Sequence, residues 1–144
     1  MQNFRNIQAW QKAHELTLKI YKATKAFPKE EVYGLTSQIR RAAYSIPMNI
    51  AEGCGRASQK ELARFLDIAS GSASELDYQL QLVRDLGLID QENYKELFET
   101  LDHIRKMLTS LTKSVRATNN KSQITNNEPR TTKNEQRQRT ANHE

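Results

Sequence analysis

An all-α, antiparallel up-down-up-down four-helix bundle is the fold this 144-residue chain predicts, on three observations. Four stretches carry apolar residues at helical spacing. Glycine and proline fall between those stretches, apart from Pro47, Gly71 and a Gly34 near a helix start. No stretch alternates apolar and polar residues as a half-buried strand would. Short links leave consecutive helices side by side, and each apolar stripe needs a facing one, so antiparallel packing follows.

The first segment, Ile7 to Phe27, places Ala9, Ala13, Leu16, Ile20, Ala23 and Phe27 in alternating steps of four and three. Beside it runs a row of Ile7, Trp10, Thr17, Tyr21 and Thr24, and together the rows make one wide apolar face. The Phe27-Pro28 step ends the segment, because the residue before a proline is pushed out of the α region. The second segment, Tyr33 to Gly53, aligns Leu35, Ile39, Ala43, Ile46 and Ile50. The third opens on Ser58-Gln59-Lys60-Glu61, a capping-box pattern. It carries Leu62, Leu66, Ala69, Ala73, Leu76, Leu80 and Val83 at heptad spacing and stops at Gly87. The fourth takes Asp90 as its N-cap and lines up Tyr94, Leu97, Leu101, Ile104, Leu108, Leu111 and Val115.

From Ala117 to Glu144 the pattern stops, with Ile124 the only large apolar residue. That is too little burial to offset the entropy of ordering, so a folded unit over 1–116 and a disordered, polar, basic tail over 117–144 are expected. Glu128, Glu135 and Glu144 interrupt the tail's basic residues, which favours an untethered terminus over a cationic RNA-contacting arm.

Lys and Arg number 22 against 17 Asp and Glu, a net charge of +5 that suits a polyanionic partner. Lone Cys54 excludes an intramolecular disulfide and a cysteine-based zinc site. Met1-Gln2-Asn3-Phe4 leads directly into a polar amphipathic stretch rather than a signal peptide, and no apolar run approaches the roughly 20 residues that span a bilayer. A cytoplasmic protein with no membrane partner is expected.

The residue patterns of catalysis are not found, and no enzyme, cofactor or metal is expected. A di-iron bundle needs two Glu-x-x-His motifs, whereas Glu99-Thr100-Leu101-Asp102-His103 has the wrong spacing and no second copy. No Walker loop, dinucleotide fingerprint or Gly-x-Ser-x-Gly occurs. His14 and His103 read as surface or seam residues, and Cys54 as an inert thiol.

The second segment is the unusual one. Pro47 interrupts a helix at a cost of roughly 3 kcal/mol in an ordinary context. It strips the Ala43 carbonyl of its donor, so another polar group must serve that oxygen. Gln38, Arg41, Ser45, Asn49 and Glu52 form a polar stripe rich in short hydrogen-bonding groups, either solvated or facing a partner. The third segment holds a small-residue zone, Ala69 to Ser74, where Gly71 and Ser72 are candidates for a close helix contact. Glu75 follows as the expected ion-pair partner of Arg40 or Arg41. Phe65, Ile68, Ser72, Gln79 and Leu82 give the third helix a second face beyond its core row, which points to self-association. Arg40, Arg41, Arg56, Lys60 and Arg64 gather around the second link as candidate nucleic-acid contacts, Arg56 standing just before a helix N-terminus that favours phosphate. Lys113 and Arg116 complement the dipole at the end of the fourth helix.

These residues also carry a resemblance. The signature is Trp10-Gln11-Lys12-Ala13 with Tyr21 and Phe27-Pro28, then Tyr33-Gly34-Leu35. Gln38-Ile39-Arg40-Arg41-Ala42-Ala43, Ser45-Ile46-Pro47, Asn49-Ile50-Ala51-Glu52-Gly53 and Gly71-Ser72-Ala73-Ser74-Glu75-Leu76 complete it. Over residues 4–115 the chain resembles the four-helix bundle proteins encoded in intervening sequences of bacterial 23S ribosomal RNA genes. It is also similar to the accessory variability determinant proteins of diversity-generating retroelements. The resemblance implies a homopentameric barrel without established catalytic activity, and, from the retroelement side, binding of nucleic acid and a reverse transcriptase through basic surfaces. The function expected is a non-enzymatic oligomeric accessory protein that binds structured RNA or DNA. The alternative is a protein-interaction scaffold, such as a reverse-transcriptase accessory subunit.

Overall fold

The computed structural model describes residues 2–127, all helical in their regular parts and without a strand. The helices are α1 (Gln8–Thr24), α2 (Leu35–Cys54), α3 (Gln59–Asp85) and α4 (Gln91–Asn127), with single 3-10 turns at Phe4–Asn6 and Lys29–Glu31. Each helix packs on its chain neighbours and α4 closes back on α1, which makes an antiparallel four-helix ring. The core is the set of sequence stripes: Leu16, Ile20, Ile39, Ile46, Ile50, Leu66, Leu76, Leu80, Leu101, Ile104 and Leu108 are fully buried.

Local chemistry sets the helix ends. The Ser58 hydroxyl accepts from the Glu61 N–H at 3.1 Å, and Asp90 Oδ1 accepts from the Asn93 N–H at 2.7 Å. Past the end of α3, Gly87 takes a φ of 73°, and the Leu88 N–H reaches back to the Val83 carbonyl at 2.9 Å.

The proline in α2 is buried, and its orphaned carbonyl is served from outside the helix. Thr17 Oγ1 on α1 lies 3.2 Å from the Ala43 oxygen and 2.8 Å from its own Ala13 oxygen, so one hydroxyl proton is shared between two helices. Within α2, Asn49 Nδ2 donates to the Ser45 carbonyl at 2.8 Å, which occupies two members of the polar stripe.

Three expectations are corrected here. Gly71 is exposed, and a Cβ built on it meets nothing within 4 Å, so within one chain it makes no close contact. The close approach belongs to Gly53, where a Cβ would come within 2.9 Å of both Leu62 Cδ1 and Phe65 Cβ. Glu75 is exposed and pairs with neither arginine, because Arg40 turns the other way, toward α1. Finally, α4 does not stop near Arg116 but continues to Asn127 with its surface in solvent. A helix already nucleated by packing propagates at little cost per residue. Hydroxyls at Thr118, Ser122 and Thr125 bond to carbonyls one turn earlier along this extension. Residues 128–144 of the expected tail lie outside the described residues.

Candidate nucleic-acid interface

The five basic residues read as one cluster divide between the two ends of α2. Arg41 and Arg56 are separated by 15 positions, about 22 Å along a helix axis at 1.5 Å per residue. Arg40 and Arg41 therefore stand apart from Arg56, Lys60 and Arg64.

The α2–α3 link builds the larger basic group. Arg56 is held by Glu52 at 2.7 Å, while its guanidinium carbon lies 5.0 Å from the centre of the Phe65 ring. Arg64, one residue before that ring, sits 5.7 Å from the same centre, so two guanidiniums share one aromatic surface. Lys60, Arg64 and Arg116 line a shallow cavity of about 410 Å³ with Glu61, Asp67 and Asn119. Arg116 pairs with Asp67 across the α3–α4 seam. Its position near the end of the predicted fourth helix points only to the helix dipole; the pattern that adds Arg116 to this group lies in α4 as a whole. From Gln91 to Asp102 that helix carries Glu92, Glu96, Glu99 and Asp102; from His103 to Asn127 it carries Arg105, Lys106, Lys113, Arg116 and Lys121 and no carboxylate. Lys60, Arg64, Lys113 and Lys121 have no carboxylate within 4.0 Å among the described residues, and their charge is left for solvent or a ligand. The α3 N-terminus, with its partial positive charge, opens at the same end.

At the other end Arg40 is half-buried. Its Nε–H donates to Thr24 Oγ1 at 2.8 Å and its guanidinium lies over the Tyr21 ring at 4.6 Å. Arg41 is exposed, as are Gln38 and Glu52; Ser45, Asn49 and Ser72 are half-buried. His14 stacks on Trp10 at 5.2 Å, and His103 is exposed. Cys54 is buried, and desolvation pushes its thiol above the ordinary range, away from thiolate chemistry. No group of three or more potential metal ligands converges among the described residues, and no helix there is long and apolar enough to cross a membrane.

The fold and this charge distribution define a small antiparallel helical bundle with a group of cations at each end. The chain belongs to the 23S rRNA-intervening sequence protein family, whose model matches residues 5–110. Among solved structures it is similar to a protein of unknown function from the S23 ribosomal protein family of Bacteroides thetaiotaomicron. The two share 26% sequence identity over 73% of this chain and 95% of that one, with a TM-score of 0.68. No curated protein matches the chain.

Proposed function

We propose that this protein is a non-enzymatic accessory protein of the cytoplasm that binds structured RNA through the basic end of the bundle. The observation that carries the reading is the gathering of Arg56, Lys60 and Arg64 at the α2–α3 link, with Arg116 lining the same cavity as Lys60 and Arg64, and with Lys113 and Lys121 on the carboxylate-free part of α4. An exposed helix surface offers no aromatic platform for successive bases at this end, so backbone charge and shape lead the binding. The same chemistry admits DNA, and parallel titrations separate the two.

Assembly belongs to the same reading. By helical register Arg64, Ile68, Gly71, Glu75 and Tyr78 share the outer face of α3, where Ile68 is 41% and Tyr78 62% exposed. We infer a homo-oligomer, pentameric as the family resemblance implies, that packs this strip against a second copy and repeats the basic end around a ring. Repetition would multiply weak phosphate contacts by effective concentration.

Fluorescence anisotropy with a structured RNA tests the proposal. Affinity should fall steeply between about 50 and 200 mM salt. It should fall again when Arg56, Lys60 and Arg64 are changed together to Gln. Binding absent at low salt, or indifferent to the triple change, overturns it. Light scattering coupled to gel filtration tests assembly, and a monomer at micromolar concentration removes that part.

The second reading is a protein-interaction scaffold, such as a reverse-transcriptase accessory subunit, with charge serving solubility. It is favoured by Leu18 and Met48, which remain 59% and 54% exposed on neighbouring helices. A scaffold would retain its protein partner when the triple change abolishes RNA binding.

A further inference from the structure

A groove of about 550 Å³ lies between the last turns of α1, the link that follows and the first three turns of α2, at the end of the bundle away from the Arg56 group. That volume falls within the range of about 300–1,000 Å³ usual for small-ligand sites. Four cations line it: Lys25, Lys29, Arg40 and Arg41. None has a carboxylate within 4.0 Å among the described residues. Glu30 and Glu31 stand in the adjoining turn but do not line the groove, and Glu31 Oε2 is taken by the Leu35 N–H at 3.2 Å.

Three further features point to an anionic ligand. Arg40 is fixed before any ligand arrives, by Thr24 Oγ1 and the face of Tyr21, which lowers the entropy lost on binding. Thr36 lines the same groove with 4% of its surface exposed, and its Oγ1 has no hydrogen-bond partner among the described residues. A buried hydroxyl left without a partner is unfavourable unless something else completes it. The first turn of the 20-residue α2 also lies here, with the N–H groups of Thr36 and Ser37 donating to no acceptor among the described residues. Such groups and the helix dipole favour a bound phosphate. The groove also carries aromatic surface, since Tyr21 and Tyr44 are 39% and 38% exposed and both line it. With the Tyr21 face taken by Arg40, a bare anion would leave the Tyr44 ring unused, whereas a nucleobase stacks on it.

We propose that this groove binds a nucleoside phosphate. Arg40, Arg41, the Thr36 hydroxyl and the first turn of α2 hold the phosphate, and Tyr44 stacks the base. The ligand is either a free nucleotide or one unstacked nucleotide of a single-stranded RNA. The site is separate from the basic end, so it stands or falls independently of the RNA reading given above.

Calorimetric titration of the full chain with AMP, UMP, adenosine and inorganic phosphate tests it, together with anisotropy on a labelled ten-nucleotide single strand. A nucleotide should bind once per chain, at least tenfold tighter than adenosine or phosphate. Arg41→Gln and Tyr44→Ala should each weaken it at least fivefold, and Thr36→Val several-fold, with unfolding midpoints confirming that each variant is folded. Tyr44→Leu serves if the alanine variant is unstable. Joint replacement of Arg56, Lys60 and Arg64 should leave nucleotide affinity unchanged. If the oligonucleotide loses affinity with the Tyr44 and Arg41 variants, the natural source is RNA; if only AMP or UMP responds, it is a free nucleotide. Equal affinity for phosphate and nucleotide, or no ligand responding to these variants, overturns the proposal.

Discussion

Along α2 the seam with α1 is closed by polar bonds, whereas the seam with α3 is closed by a missing side chain. On the first, Thr17 reaches the Ala43 carbonyl and Thr24 receives the Arg40 guanidinium. On the second, Gly53 lets the backbone of α2 come against Leu62 and Phe65, with Ala69 and Ala73 buried farther along α3. The difference explains how one helix tolerates a buried proline. A helix pressed on both sides by apolar side chains has no donor to offer the carbonyl that proline releases, and an unpaired buried carbonyl costs about 1–3 kcal/mol. Here the neighbour on one side supplies a hydroxyl, and the close packing is confined to the other.

The largest expected effect breaks the apolar seam. Gly53→Val places branched carbon where even a Cβ would lie 2.9 Å from Phe65 Cβ, an atom that cannot swing aside. Overpacking of this kind costs about 1–3 kcal/mol, or more, and should lower the urea midpoint accordingly. An unchanged midpoint would show that α2 and α3 are not apposed as described.

A double-mutant cycle sharpens the polar seam. Thr17→Val should cost about 1–2 kcal/mol, because the Ala43 oxygen is left buried and unpaired. In a Pro47→Ala background that oxygen regains a backbone donor, so the same Thr17→Val change should cost roughly 1 kcal/mol less. Additive effects in the cycle would dissociate the threonine from the proline.

Gly71 is the counterpart of Gly53 and should respond with the opposite sign. Its Cβ position is open and its helix is continuous, so Gly71→Ala should stabilise a single chain by about 0.5–1 kcal/mol. If the substitution instead splits an oligomer seen by light scattering, the open space at Gly71 belongs to a second copy.

The smallest effect lies on the α1–α4 seam, where Lys19 Nζ meets Glu96 Oε1 at 3.1 Å. That hydrogen bond holds the lysine above its ordinary range, with the Glu15 carboxylate adding to it against desolvation. A raised folded value means the stabilisation is fully present below the unfolded lysine pKa and is lost as pH rises through the folded one. Glu96→Gln should cost about 0.2–1 kcal/mol at pH 7, as exposed pairs do. The gap between the two proteins in urea melts should narrow as pH rises through the titration of the folded lysine, and a gap that persists once the lysine is neutral would assign the effect to packing.

Much of this was legible in the chain itself. Ser58 and Asp90 declare their caps through local chemistry, and the buried row of α3 is the heptad row read from spacing. The candidate site was less so. Arg56, Lys60 and Arg64 are close in sequence and stay together in space, but Arg40 and Arg41 were joined to them only by the length of a helix seen end to end. Thr17 and Thr24 were absorbed into an apolar row, because spacing records which face a residue occupies and not what its hydroxyl bonds to. The sequence offers Arg40 a partner on α3, Glu75, whereas the structure gives it Thr24 and Tyr21 on α1.

By itself the sequence determined the four helices, their buried faces and the need for an outside donor at Ala43, because periodicity, capping and proline stereochemistry act within a few residues of the chain. Tertiary structure alone decided that Thr17 would be that donor, that Gly53 rather than Gly71 would be the close contact, and that four unpaired cations would share a groove with a buried Thr36 hydroxyl. Those choices depend on the relative height and rotation of neighbouring helices, which side-chain packing across each seam fixes and no single stripe contains.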